Sequence, residues 1–368
     1  MTPVLLFAAL GALGLLPLAA WWRKRRRATL PAMAGDATDQ RGVGTVADVA
    51  ADSRAEPAGA GPAPEAKPLL RRLHALAFDT ALPAADGQGD ADPRHAAVAD
   101  AAAAVLARID AEPRYIPRRP QLLPQLMRAV NDPRASLDGI ARIIGQDPAL
   151  AANLLRVANS PFHRVRKEPV ESLTRALALL GLDGLRPVIA AALVQPVVEG
   201  GEGVFGRLPA LVWEHTQLAA AAASGFARAH GEDDAFAAQL LGLLHGLGAI
   251  IVVQVLRDQY ARQSDLAPDA RTVVSVLEEW TAPSARRIAD GWGLTARIGE
   301  ALEAQRHDAP PADRLGRALR AGGVAGALAL LCRLGRIQNA EGFASLSAFA
   351  AAHGGLGDVA RTWERLSA

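Results

Sequence analysis

Phe236-Ala237-Ala238-Gln239-Leu240-Leu241-Gly242-Leu243-Leu244-His245-Gly246-Leu247-Gly248-Ala249-Ile250-Ile251 decides the fold. Asp233 and Asp234 precede it, and their carboxylates suit the positive end of a helix. Phe236, Leu240, Leu244, Leu247 and Ile251 recur at helical spacing, yet the other faces are apolar too, as far as residue 256. A helix greasy all round is buried at the centre of a larger helical body, and one imidazole, His245, rides inside it.

Working outward, residues 209–230 place Leu211, His215, Leu218, Ala222 and Phe226 on one stripe. A second histidine therefore lies on an apolar face. Upstream, Asp147-Pro148 reads as a helix start, with Leu150, Leu154, Val157 and Ala158 on one side and Asn159-Ser160-Pro161 as the stop. Ser172 caps a helix carrying Leu173, Ala176, Leu177 and Leu180, closed by Gly181, and Asp183 starts another through Leu185, Val188, Ile189, Ala192 and Leu193. Downstream, helices are predicted over 270–280, 284–291, 295–306, 312–336 and 341–366. No stretch alternates with period two, and alanine abounds while only 4% of residues are aromatic. The fold class is all-α.

The N-terminal region reads differently. Pro3 to Trp22 carries no charge, and as a helix it would span roughly 30 Å, the thickness of a bilayer's apolar core. Trp21 and Trp22 suit the interface, and Arg23, Lys24, Arg25, Arg26 and Arg27 follow at once, which places that side in the cytoplasm. A cleaved signal peptide would carry its positive charge before the apolar run instead. The expected organisation is a transmembrane helix at 3–22, a basic juxtamembrane segment and flexible linker over 23–95, a helical domain over 96–310 and a helical extension over 311–368. Within the linker, residues 67–82 form a candidate amphipathic helix facing the domain or the membrane surface, with His74 an ordinary helix residue. Residues 83–95 read as a loop and 96–109 as an Ala-rich helix.

Charge and cysteine content narrow the function classes. The chain has 40 Lys+Arg and 38 Asp+Glu. The five cations of 23–27 account for the excess: without them 35 face 38, a net −3, so the body lacks the basic face of a nucleic-acid binder. Cys332 is the sole cysteine and reads as a buried small apolar side chain, which rules out an intrachain disulfide or a cysteine metal cluster. Gly200-Gly201-Glu202-Gly203 lacks the Lys-Ser/Thr of a phosphate-binding loop.

Several motifs, in order, resemble the HDOD domain: Leu123-Pro124, Ile143-Ile144-Gly145-Gln146-Asp147-Pro148-Ala149-Leu150, Leu154-Leu155-Arg156-Val157-Ala158-Asn159-Ser160, Ala176 to Gly181, Trp213-Glu214-His215 and Leu243 to Gly248. They span about 115–310. The resemblance implies an all-helical relative of the HD metal-dependent phosphohydrolases that typically lacks their enzymatic site and serves bacterial signalling. It aligns His215 with the first metal-binding histidine of those enzymes and His245 with the second. Gly246 stands where the paired Asp should be, and His307 is a remnant of a downstream histidine pair. Two imidazoles without a carboxylate suit Mg²⁺ or Mn²⁺ poorly. The reading of His215 and His245 is two interior histidines satisfied by hydrogen bonds, and Asn159-Ser160 reads as helix termination, with a polar contact between halves of the domain as its alternative. No catalytic residue, metal or cofactor is expected. The expected role is a signalling adaptor at the inner membrane, recognising other proteins and no nucleic acid. The alternatives are a divergent HD-type phosphohydrolase and a nucleotide-binding regulator that does not hydrolyse its ligand.

Overall fold

A computed structural model describes residues 64–78, 92–117, 121–132, 134–159, 170–181, 203–229, 235–353, 355 and 358–367. The expected transmembrane helix, Trp21 to Arg27, Ser160 and the helix expected after Asp183 lie outside them. The described residues form helices and no strand.

In chain order these are α1 (Ala66–Ala75), α2 (Pro93–Leu106), α3 (Leu123–Asn131), α4 (Leu137–Ile144), α5 (Pro148–Ala158), α6 (173–181), α7 (Val204–Ala229), α8 (Ala235–Ala261), α9 (Ala270–Gly291), α10 (Ala296–Glu303), α11 (Arg314–Arg333), α12 (Asn339–Ala352) and α13 (Val359–Ser367). Helix α8 is the central element: Phe236, Leu240, Leu244, Leu247 and Ile251 are all buried, and α7 and α9 pack along it. Helices α8 and α11 are each long and apolar enough to cross a bilayer, but 94% and 83% of their apolar windows lie inside the protein. Both are core helices.

The start predicted at Asp147 operates as written, its carboxylate accepting the Leu150 amide at 3.1 Å. Asp269 and Asp313, not singled out from sequence, cap helices in the same way, accepting the Thr272 amide at 2.8 Å and the Gly316 amide at 2.7 Å. Gly181 closes α6 with a φ of 65°, a region that costs other residues a Cβ clash. Asn159 does more than end a helix. Its Nδ2 donates to the carbonyls of Leu155 (2.9 Å) and Val170 (2.8 Å), and its Oδ1 accepts the Val170 amide at 2.7 Å. The side chain clips the end of α5 to the segment before α6, a local contact eleven residues on in the chain.

Three boundaries differ from the sequence reading. The Ala-rich helix starts at Pro93, with Asp92 as its cap, and not at 96. The helices expected at 270–280 and 284–291 are one, α9, which runs through Pro283. The carbonyl that loses its partner belongs to exposed Glu279, where water can serve it, while Leu277, Ala285 and Ile288 are buried on either side. The last expected helix divides into α12 and α13, with Gly355 at φ 81° between them. The amphipathic helix expected within 67–82 is present as α1, and it faces the domain: Leu69 and Leu73 are buried in one cluster with Phe226, Leu328 and Leu366. The helical extension over 311–368, whose packing the sequence leaves open, lies on the domain, with α11 packed along α7 more extensively than any other pair of described helices. Cys332, near its end, is half-buried, with its Sγ 3.6 Å from the Gln338 carbonyl.

Two seams of small residues set the helix spacing. A Cβ added at Gly242 would lie 2.6 Å from Ala220 Cα; one at Gly322, 2.5 Å from the Ala219 carbonyl; one at Gly326, 2.6 Å from the Ala219 nitrogen. Helix α7 thus meets α8 on one side and α11 on the other at backbone contact. We expect Gly242→Val and Gly326→Val each to cost about 1–3 kcal/mol through overpacking, and Asn159→Ala about 1–3 kcal/mol by orphaning the Val170 amide and carbonyl. Urea midpoints of the variants check all three.

Candidate functional site

The close approach of α7, α8 and α11 aligns their polar residues on one cleft of about 430 Å³. His215 and Thr216 come from α7, His245 and Gly246 from α8, Glu278 from α9, and Arg320 and Gly323 from α11. Helix α1 forms a further wall and contributes His74. His307 and Asp308 follow the 3₁₀ turn 304–306 at the exposed rim, and Phe349 and His353 line another side with their rings stacked 4.1 Å apart.

The ion pairs of this site hold α1 in place. Lys67 Nζ lies 2.7 Å from the Asp308 carboxylate, and Arg71 donates to Glu278. Arg72 donates to the Arg336 carbonyl at 3.3 Å. Arg320 spends its guanidinium on the opposite rim, donating to the carbonyls of Ala304, His307, Asp308 and Ala309 at 2.7–3.0 Å, with Nε 3.4 Å from Gln305 Oε1.

The three inner imidazoles differ. His215 is buried, and its Nε2 donates to the Gly323 carbonyl at 2.9 Å, which fixes the tautomer because a carbonyl only accepts. The sequence reading is met there. It is not met at His245, which has no hydrogen-bond partner among the described residues; His74 has none either. Both retain some surface, but that surface faces the cleft. Burial foremost, then the neighbouring His215 and His245, pushes His74 down to about 3. Burial and then His215 push His245 down to about 4. Burial also lowers His215, partly opposed by its bond to Gly323. All three are neutral at physiological pH.

Gly246 has a specific steric cause. A Cβ built there would overlap Thr216 Oγ1 and Cγ2 and lie 2.6 Å from Thr216 Cβ. Thr216 is itself fixed, donating to the Val212 carbonyl at 2.7 Å. The space a carboxylate would need at 246 holds a threonine. Among the described residues no three His, Cys, Asp or Glu side chains converge as a metal-holding group.

Of the residues singled out from sequence, the cleft gathers His215, His245 and Gly246, with His307 at its rim. Asp147 and Asn159 serve helix ends elsewhere, Pro148 opens α5, and Trp213 packs half-buried against the core. His74, Thr216, Glu278 and Arg320 went unrecognised. His74 sits on an amphipathic segment visible in the sequence, but nothing in its spacing says that the segment folds back over the cleft.

His215 and His245, brought together from adjacent core helices, both fall within a span of the chain that matches a family of helical domains. The HDOD family model matches residues 116–308, just over half the chain, and the protein belongs to that family. An uncharacterized protein of Treponema pallidum (strain Nichols) is 26% identical over 178 residues, 48% of this chain, and the chain spans only 33% of that relative's length. Among solved structures, a candidate phosphohydrolase of Shewanella amazonensis SB2B is 23% identical with a TM-score of 0.49, covering 73% of this chain and 93% of its own. A candidate signal-transduction protein of Marinobacter aquaeolei VT8 is 19% identical with a TM-score of 0.45, covering 79% of this chain and 70% of its own.

The neutral histidines make stability depend on pH. Unfolded, each titrates near about 6.5. Between that value and the folded values the unfolded chain binds more protons, so stability is complete above about pH 6.5 and is lost as pH falls toward 4. We expect the melting temperature to drop between pH 7.5 and 5, and to drop less in a His74→Leu, His245→Leu double variant. Thermal melts across that range measure both slopes.

Proposed function

We propose that the chain is a membrane-tethered signalling adaptor whose HDOD domain recognises other proteins and does not hydrolyse phosphoesters. The observation that carries the reading is the overlap between position 246 and Thr216. HD hydrolysis needs an ion that activates water, held in part by oxygen ligands, and the aspartate that would supply one has no room here. Buried, neutral imidazoles alone are a poor site for Mg²⁺ or Mn²⁺.

The tether rests on the sequence of 3–27: an uncharged run of bilayer length, two interfacial tryptophans and five cations facing the cytoplasm. Confinement at the inner face of the membrane raises the local concentration of the domain for membrane-bound partners. The body's net negative charge favours protein partners over nucleic acid.

Proximity labelling with the full-length protein, against a version lacking 1–27, tests the adaptor. A reproducible set of signalling proteins labelled only by the tethered form supports it, and identical labelling by both forms removes the tether from the proposal. For the missing chemistry, we expect Gly246→Asp to lower the melting temperature by several degrees and to gain no Mn²⁺ in titration calorimetry. Stoichiometric Mn²⁺ binding with phosphodiester turnover in either protein would falsify the non-hydrolytic reading.

A further inference from the structure

His74 and His245 line the cleft, each partly exposed to it and without a hydrogen-bond partner among the described residues. Both imidazoles are therefore open to a partner from outside the chain. The charges around them limit what that partner can be. Every N–H of Arg320 already points at a carbonyl or at Gln305. Lys67 and Arg71 are paired with Asp308 and Glu278. An anion would meet Lys67 and Arg71 only beside the carboxylates of Asp308 and Glu278, and would have to force protons onto neutral imidazoles. A cation would find those two carboxylates already paired with Lys67 and Arg71.

What remains is an uncharged molecule with hydrogen-bonding edges. A neutral imidazole offers one N–H and one lone pair, which match a donor and an acceptor on one ring system. Val212, Leu277, Val324 and Phe349 supply apolar walls, and the stacked Phe349–His353 pair adds aromatic surface. The volume of about 430 Å³ lies in the usual range for small-molecule sites, roughly 300–1,000 Å³.

We infer that the cleft binds an uncharged heteroaromatic compound of purine or benzimidazole size, hydrogen-bonded between His245 of α8 and His74 of α1. The proposal rests on the non-hydrolytic reading of the same cleft. It adds a coupling: the ligand bridges the core to α1, the first described helix in chain order, so occupancy fastens α1 to the domain.

The test is titration calorimetry on the full-length protein in detergent with adenine, adenosine, benzimidazole and, as the charged counterpart of adenosine, AMP. We expect at least one of the three uncharged compounds to bind, and AMP to bind at least about tenfold more weakly than adenosine if adenosine is the one. His245→Leu and His74→Leu should each weaken binding about tenfold or more. His245→Gln keeps a donor and an acceptor and should retain binding within about threefold, which separates lost contacts from lost folding. Hydrogen exchange across residues 66–75 should slow with ligand. Binding of none of the three, tighter binding of AMP, or unaltered affinity in both leucine variants overturns the inference and leaves the adaptor reading standing. Chromatographic conversion of a bound compound would instead uphold the site and overturn the non-hydrolytic reading.

Discussion

Ala219 and Ala220 have almost nothing but backbone to offer, and the arrangement depends on it. On one side they meet Gly242 of α8, on the other Gly322 and Gly326 of α11, each at a distance no Cβ could occupy. Helices normally pack with axes 8–10 Å apart, according to the side chains between them. Glycine against alanine selects the short end, where dispersion contacts between backbones are dense. The approach also positions polar groups. With α11 this near, the Gly323 carbonyl comes within reach of His215; with α8 this near, Thr216 fills the position beside Gly246. One steric constraint sets both the spacing of the core and the chemistry of the cleft.

That constraint explains which features were legible in sequence. The all-round apolar stretch of α8 could only be a central helix, and Asp147, Ser172 and Gly181 marked helix ends through local chemistry that needs no tertiary context. Local chemistry also misled. Pro283 lies in a helix held from both sides by buried residues, so tertiary packing overrides the break. The run 341–366 has a helical composition, yet Gly355 turns the chain in the middle.

The cleft was legible in part, for a similar reason. His215 and His245 stood out because imidazoles on apolar stripes are conspicuous, and the glycine after His245 marked a missing carboxylate. Its cause lay in Thr216, thirty positions earlier, and pairings across such distances leave no periodic trace. His74 was passed over because it belongs to a segment read as linker. The family match begins at 116 and ends at 308, while α1, α11 and α12 all contribute to the walls. The cleft is therefore a composite of family core and flanking helices, with α1, α11 and α12 supplying walls from outside the matched span.

Arg320 adds a property of another kind. Its guanidinium grips the stretch 304–309 mainly through main-chain oxygens, which every residue type carries. Side chains there can drift under mutation without loosening the latch, whereas lysine at 320, with a single ammonium, could not span four carbonyls at once. The rim of the cleft is thus free to change its identity while keeping its shape, and a single codon carries most of the burden of holding it there.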